Sequence, residues 1–384
     1  MRIARHVQKL EEYVPGEQPK SKNVVKLNTN ENPYPPSPKC AEVLKKFDLD
    51  KLRRYCDPDC TELRAALAKL NKTTPDRVFI GNGSDEVLSI AAKCFVENDE
   101  KIGSLDPSYS LYKTLAAIRD VEWVGRDSAG RSSSPSSSRQ ASCSRKPSKS
   151  SPSRTTSLDK VSLFLLTNPN APTGEFREPA DIAAFAATFK GVVIVDEAYA
   201  DFARANCMAL ATAEGNKNLI VMRTFSKSYS LAGLRVGYCV GPADLIRAMY
   251  KVKDSYNVDA IAQAVALAAV KDQKWMKANA KKVIATRQAF TAELEKRGWD
   301  VIPSESNFVF AKPPEHDTQR VHGTQRGRDT PVASEQKAPA ASRIFAALRA
   351  KNIFVRYFKY PNTRERLRIT IGTPEQMSKL LKNI

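Results

Sequence analysis

The sequence predicts an α/β architecture: a large domain built on a mainly parallel sheet, followed by a smaller α+β domain. Three observations carry that expectation. Short β-branched runs alternate with Ala/Leu-rich helical stretches over most of the chain, the pattern of repeated strand–helix–strand units. A long helical tract over residues 259–297 follows the last of these units and leads into a shorter mixed region. The length, 384 residues, exceeds what a single hydrophobic core usually organises. Residues 1–29 are therefore expected to be an arm of the smaller domain and 30–258 the large domain. Residues 259–384 supply the connecting helix and the rest of the small domain.

Taken in order, strands are predicted at 78–80, 101–105, 121–124, 161–166, 192–195, 219–222 and 236–240. Each is a short apolar run bounded by turn formers. Helices are predicted at 61–70, 85–95, 109–118, 179–189 and 243–250, where apolar residues recur at helical spacing. The second unit contains strands at 308–310, 353–357 and 367–371 and a helix at 343–350. Two tracts break the pattern. Residues 128–157 are a Ser/Arg/Pro run with almost no apolar side chain, and 312–341 carry mixed charge with no hydrophobic period. Both are too polar to bury a core and are expected to be disordered. Either they are genuine insertions or the reading frame shifts within them.

Composition excludes several functions. The 61 Lys+Arg against 42 Asp+Glu give a net charge of +19, but the excess is scattered outside the basic 128–157 tract. No nucleic-acid-binding signature accompanies it, so an acidic small-molecule substrate explains the charge better than nucleic acid or a membrane surface. The most apolar helical stretch, 260–270, is too short to span a bilayer and contains Gln263. No secretory signal is visible at the start of the chain. Seven cysteines at irregular spacing point to free thiols in a cytoplasmic setting. With only three histidines, a His-centred metal site or a Ser-His-Asp triad is poorly supported, and no metal is expected.

Four local patterns carry chemistry. In Arg77–Glu86 a strand runs through Gly81 and Gly83 into a helix start, so the amides of Ser84 and Asp85 can face an anion. Alone, this is equally an ordinary strand-to-helix turn. Asp196 ends an apolar strand and is followed by Tyr199; a buried carboxylate needs a partner, and a protonated ring nitrogen would be one. Alone, it is equally a helix cap. Lys227 follows another strand within Thr224-Phe-Ser226-Lys227, and Arg235 lies eight residues later with the chemistry to hold a phosphate. Asn170 sits in a Pro/Asn-rich turn where its amide could bond a phenolate-type oxygen. A lysine for an imine, an acid for a pyridinium, a tyrosine for a phenolate and an anion pocket are together what pyridoxal 5'-phosphate requires.

On these residues the chain resembles the histidinol-phosphate aminotransferases, within the fold-type-I pyridoxal-phosphate enzymes. The most specific stretch is RTFSKSYSLAGLRVGY, supported by LNTNENP, DEAY and LRITIGT. The likeness runs from about Tyr13 to the last residue, apart from the two polar tracts. It implies that Lys227 links to the cofactor and moves the substrate proton, that Asp196 pairs with the ring nitrogen, and that Tyr199 meets the phenolic oxygen. Ser84, Asp85, Thr224, Ser226 and Arg235 would hold the phosphate, and Tyr109 would stack on the ring. Tyr55 matches a tyrosine that reaches the cofactor of a partner subunit, implying a homodimer. Arg368 resembles the arginine that grips an α-carboxylate and Arg356 one near the substrate phosphate, while Tyr13 and Asn30 match positions that close over the substrate. The implied reaction converts L-histidinol phosphate and 2-oxoglutarate to imidazole acetol phosphate and L-glutamate, in histidine biosynthesis. An aromatic amino-acid aminotransferase, a phosphothreonine decarboxylase of the same fold, or a catalytically impaired binding protein remain alternatives.

The chain departs from the family at Ala171, where an asparagine that bonds the phenolic oxygen usually stands. Either Asn170 takes that contact or Tyr199 carries it alone. Cys56 stands where a proline normally follows the tyrosine.

Overall fold

The computed structural model describes residues 2–10, 16–21, 23–127, 158–315 and 338–384. Seven strands form the large sheet, in the spatial order Val78–Gly81, Gly237–Val240, Leu219–Thr224, Val192–Asp196, Val161–Thr167, Lys101–Leu105 and Glu122–Arg126. Six run parallel; Gly237–Val240 is antiparallel to both its neighbours. Both faces are covered, which is why the strands read as continuous apolar runs rather than alternating ones. Phe164, Leu166, Val193, Val195 and Val221 enter the core on one face. Leu163, Leu165, Ile194, Ile220 and Met222 enter the core on the other, against the helices Ser84–Phe95, Leu111–Ile118 and Ala243–Val252.

Register decides what the carboxyl edge of this sheet presents. Thr167 pairs with Asp196, and Asp196 with Met222, two residues before Thr224. Gly237 pairs with both Thr224 and Gly81. Strand ends carrying Thr167, Asp196 and Thr224 and the glycine turn after Gly81 therefore line up along one rim, where ligands of open α/β sheets bind.

The smaller sheet is antiparallel, in the order Arg356–Tyr357, Leu367–Thr370, Phe308–Lys312, Asp300–Ile302. Beside it Val25–Lys26 pairs in parallel with Ile353–Phe354, so the N-terminal arm joins C-terminal chain. The expected strand over 353–357 is thus two short strands with different partners. The expected helical tract over 259–297 is also two elements, Ala260–Val270 and Gln273–Lys296. Asp272 leaves helical geometry and caps the second helix through the Trp275 amide, while also accepting from Ser37.

The polar tract 128–157 lies outside the described residues. The second expected tract, 312–341, is shorter at both ends: Lys312 closes a strand and Ala340 opens the helix Ala340–Ala350. Its middle, 316–337, also lies outside the described residues. Among the described residues no helix is long and apolar enough to cross a membrane, and the described cysteines are all free thiols.

Candidate active site

Lys227 sits in the turn after the strand Leu219–Thr224. That turn is pinned at its base by Phe225, which is fully buried and exchanges backbone bonds with Val236 and Leu231. Beneath it lies a buried charge cluster. Arg223 forks onto Glu197 (2.8 and 3.1 Å) and reaches Asp201 at 3.1 Å. Asp201 in turn accepts from Ser228, the neighbour of Lys227. Burial pushes the Glu197 carboxyl up, with Arg223 opposing it. The cluster holds the lysine turn through Ser228, while Lys227 Nζ reaches away to the Thr29 carbonyl.

Asp196 is buried, and its carboxylate accepts from Tyr112 Oη at 2.7 Å and from the Ala198 amide at 3.1 Å. Burial pushes its carboxyl up to about 6; the Tyr112 and Ala198 hydrogen bonds pull the other way, as does the nearby positive charge of Lys227, while Asp85 adds to the rise. Among the described residues no cation lies within ion-pair distance of Asp196, so its direct contacts are neutral donors and Lys227 acts on it only at longer range. Tyr112 Oη also lies 2.6 Å from Thr167 Oγ1, and Thr167 meets Ser108 at 3.2 Å. A chain of hydroxyls therefore backs the carboxylate.

The anion pocket is formed where the glycine turn meets Arg235. The helix Ser84–Phe95 begins after Gly83, whose φ of 84° suits glycine. A Cβ at Gly83 would stand 2.5 Å from Arg235 Nη2, so the missing side chain is what lets the guanidinium approach the helix start. Arg235 pairs with Asp85 at 3.2 Å and lies 3.4 Å from Ser226 Oγ, which Thr224 meets at 3.0 Å. Tyr109 donates to Asp85 at 3.3 Å and stands edge-on to Tyr112.

The segment LNTNENP closes the other side, and successive residues serve different neighbours. The Asn28 carbonyl accepts from Arg368 at 2.8 Å and the Thr29 carbonyl from Lys227 Nζ at 3.3 Å. Asn30 donates to Tyr199 Oη at 2.9 Å, and Asn32 donates to the Lys227 and Ser228 carbonyls at 3.2 Å each. Lys227 Nζ lies 5.8 Å from the Tyr199 ring centre. Arg368 and Arg356 face each other in register on neighbouring strands and share Phe358 between them. Two like charges set directly opposite cost stability unless an anion joins them.

The structure thus brings Ser84, Asp85, Tyr109, Asp196, Tyr199, Thr224, Ser226, Lys227, Arg235, Asn30 and Arg368 into one connected site, with Arg356 adjoining it. Asn170 joins the site only through the hydroxyl chain behind Asp196: its oxygen accepts from Ser108, while its amide donates to Pro107 O and Thr173 Oγ1. Tyr55 is 82% exposed, stacked on Tyr256, and stands apart from these contacts. Tyr13 lies outside the described residues. Sequence reasoning missed Tyr112, Thr167 and Asn32. The NTNEN alternation of side-chain amides at 28, 30 and 32 is the one available signal for Asn32, and nothing local marks Tyr112.

A mainly parallel sheet whose edge carries a lysine, a buried acid and an anion pocket defines an enzyme of the fold-type-I transferase architecture. The chain belongs to the aminotransferase class I and II family, whose profile matches residues 22–384. It is 38% identical over 382 residues to histidinol-phosphate aminotransferase 2 of Burkholderia mallei, covering 98% of this chain and 95% of that one. It is 40% identical to histidinol-phosphate aminotransferase 2 of Psychrobacter arcticus, covering 97% and 92%. The histidinol-phosphate aminotransferase of Sinorhizobium meliloti, solved in complex with pyridoxal-5'-phosphate, shares the fold with a TM-score of 0.79 at 23% identity, over 99% of this chain and 96% of that one. L-threonine-O-3-phosphate decarboxylase of Porphyromonas gingivalis shares it too, with a TM-score of 0.72 at 20% identity over 94% and 98%.

Proposed function

We propose that this chain is a pyridoxal-phosphate-dependent aminotransferase acting on L-histidinol phosphate and 2-oxoglutarate to give imidazole acetol phosphate and L-glutamate, a step of histidine biosynthesis. The observation that carries the reading is the placement of Lys227 near Asp196, a buried acid whose direct contacts are neutral donors, at the rim that also holds Arg235 and the glycine turn. Full-length relatives of that name support the choice of substrate. When bound, the cofactor supplies an electron sink for the carbanion left by proton removal.

The protein's own residues do the rest. Asp196 holds a proton on the ring nitrogen, which keeps the sink strong. Tyr199 donates to the phenolic oxygen, and Tyr109 covers the ring. The Ser84 and Asp85 amides, Ser226, Thr224 and Arg235 bind the phosphate, an anion at a helix start. Lys227 Nζ would hold the cofactor by its aldehyde carbon and, as a free amine, would take the proton from the substrate Cα and deliver it to the carbon on the other side of the shared nitrogen. Asn170 braces the turn facing the ring. Arg368 takes a carboxylate and Arg356 the substrate phosphate. A homodimer is part of the proposal, supported by the exposed Leu49, Leu52, Tyr55 and Tyr256. So is a cytoplasmic location, in keeping with the free thiols.

The test is the absorption spectrum of the purified protein with pyridoxal phosphate, then titration with histidinol phosphate. A lysine-linked visible band should form, vanish in Lys227→Ala, and bleach with histidinol phosphate in preference to phenylalanine or phosphothreonine. A band that survives Lys227→Ala, or a preference for either rival substrate, would overturn the assignment.

A further inference from the structure

Asn30 is buried, 1% exposed, in left-handed backbone geometry at φ 56°. Its contacts fix which way its amide points. The Thr370 hydroxyl accepts from the Asn30 backbone N–H at 3.0 Å and donates to Asn30 Oδ1 at 3.0 Å. With Oδ1 so occupied, Nδ2 faces Tyr199 and donates to its Oη. Asn307 Nδ2 holds the Asn30 carbonyl at 2.9 Å, and Phe308 packs edge-on against the Tyr199 ring. A phenol that accepts from an amide keeps its one hydrogen for another acceptor. The facing turn offers little help there. Ala171 has no side-chain donor, and the Asn170 amide is taken by Pro107 and Thr173.

We propose that Asn30 is a positioning residue which, held by Thr370, directs the Tyr199 hydroxyl hydrogen toward the cofactor's phenolic oxygen. Because Thr370 shares a strand with Arg368, the same relay ties that contact to the arginine assigned to the substrate. The inference rests on the cofactor reading above and deepens it, replacing a role for Asn30 in closing over substrate.

The test is a pH titration of the visible band of the cofactor-loaded protein. A donor to the phenolic oxygen stabilises its negative charge, so weakening that donor favours the form in which the lysine nitrogen keeps its proton. Asn30→Gly removes the side chain and still permits the left-handed backbone. It should raise the midpoint by about one pH unit. Thr370→Val should move it the same way by less, and Thr370→Ser should leave it at the wild-type value. On a Tyr199→Phe background, Asn30→Gly should add nothing. An unchanged midpoint in both Asn30→Gly and Thr370→Val overturns the inference, and so does an equal shift with and without the Tyr199 hydroxyl. If Asn30→Gly does not fold, Thr370→Val on the two backgrounds decides alone. A wild-type protein with no visible band removes the cofactor reading itself, an outcome distinct from a band whose midpoint ignores Asn30.

Discussion

Asp196→Asn gives a sharp test of the idea that this acid is held in wait for a cation. In the folded protein without cofactor, burial raises its carboxyl from the ordinary 3.8 to about 6. The folded state therefore holds that proton more tightly than the unfolded chain does. Its contribution favours folding below about pH 4 and is lost as pH climbs through about 6. A rise of roughly two units corresponds to about 3 kcal/mol. Asparagine has the same shape and no charge, and it forfeits one of the two bonds from Tyr112 and Ala198, an offset of ~1 kcal/mol that does not change with pH. The difference in stability between variant and wild type should thus move by about 3 kcal/mol in favour of asparagine between about pH 4 and pH 8. Urea denaturation of both proteins, stripped of cofactor, at the two pH values measures it. A gap that stays constant would refute the reasoning, because the carboxylate would then carry no burial penalty. With cofactor bound the order should reverse at neutral pH.

Four further outcomes are expected. Gly83→Ala adds a Cβ 2.5 Å from Arg235 Nη2 at a φ of 84°, and a cofactor titration should show affinity lower by about tenfold or more. Arg223→Met leaves Glu197 and Asp201 without their cation, at a cost of about 3–5 kcal/mol in urea unfolding, and adding Glu197→Gln should recover part of it. Arg368→Lys loses the planar fork, so the KM for glutamate should rise at least about tenfold while the visible band stays unchanged. If the proposed homodimer forms, Tyr55→Ala should weaken cofactor binding and shift the sedimentation profile toward monomer; a variant indistinguishable from wild type in both would remove Tyr55 from the proposed interface.

The central strands were legible because a sheet covered on both faces demands unbroken apolar runs, and Val192–Asp196 could hardly be read otherwise. The acid at its end, the lysine turn and the glycine turn were legible for the same reason: each interrupts such a run at a fixed place. What escaped was whatever depends on register or on distant chain. Tyr112 reads as one more apolar residue of a helix, and its bond to Asp196 follows only from how three elements stack. The strands Val25–Lys26 and Ile353–Phe354 are two residues each, too short for any period. The reversed direction of Gly237–Val240 was likewise invisible, since an apolar run carries no arrow. The break at Asp272 had its signal, a capping acid before a new helix, but lay inside an otherwise helical composition.

The bond from Arg368 to the Asn28 carbonyl spans 340 positions, and that from Asn32 to the Lys227 carbonyl spans 195. The pocket is therefore stitched from segments around Asn28 and Arg368, far apart in the sequence, about the lysine turn between them. A nascent chain emerging from the ribosome can build much of the large sheet early, yet it has no finished site until the strand bearing Arg368 is free to return to the arm made first. Vitamin capture in its working geometry should thus await synthesis of the strand bearing Arg368, and deleting that strand or the segment around Asn28 should leave a protein that folds in part yet holds its cofactor poorly.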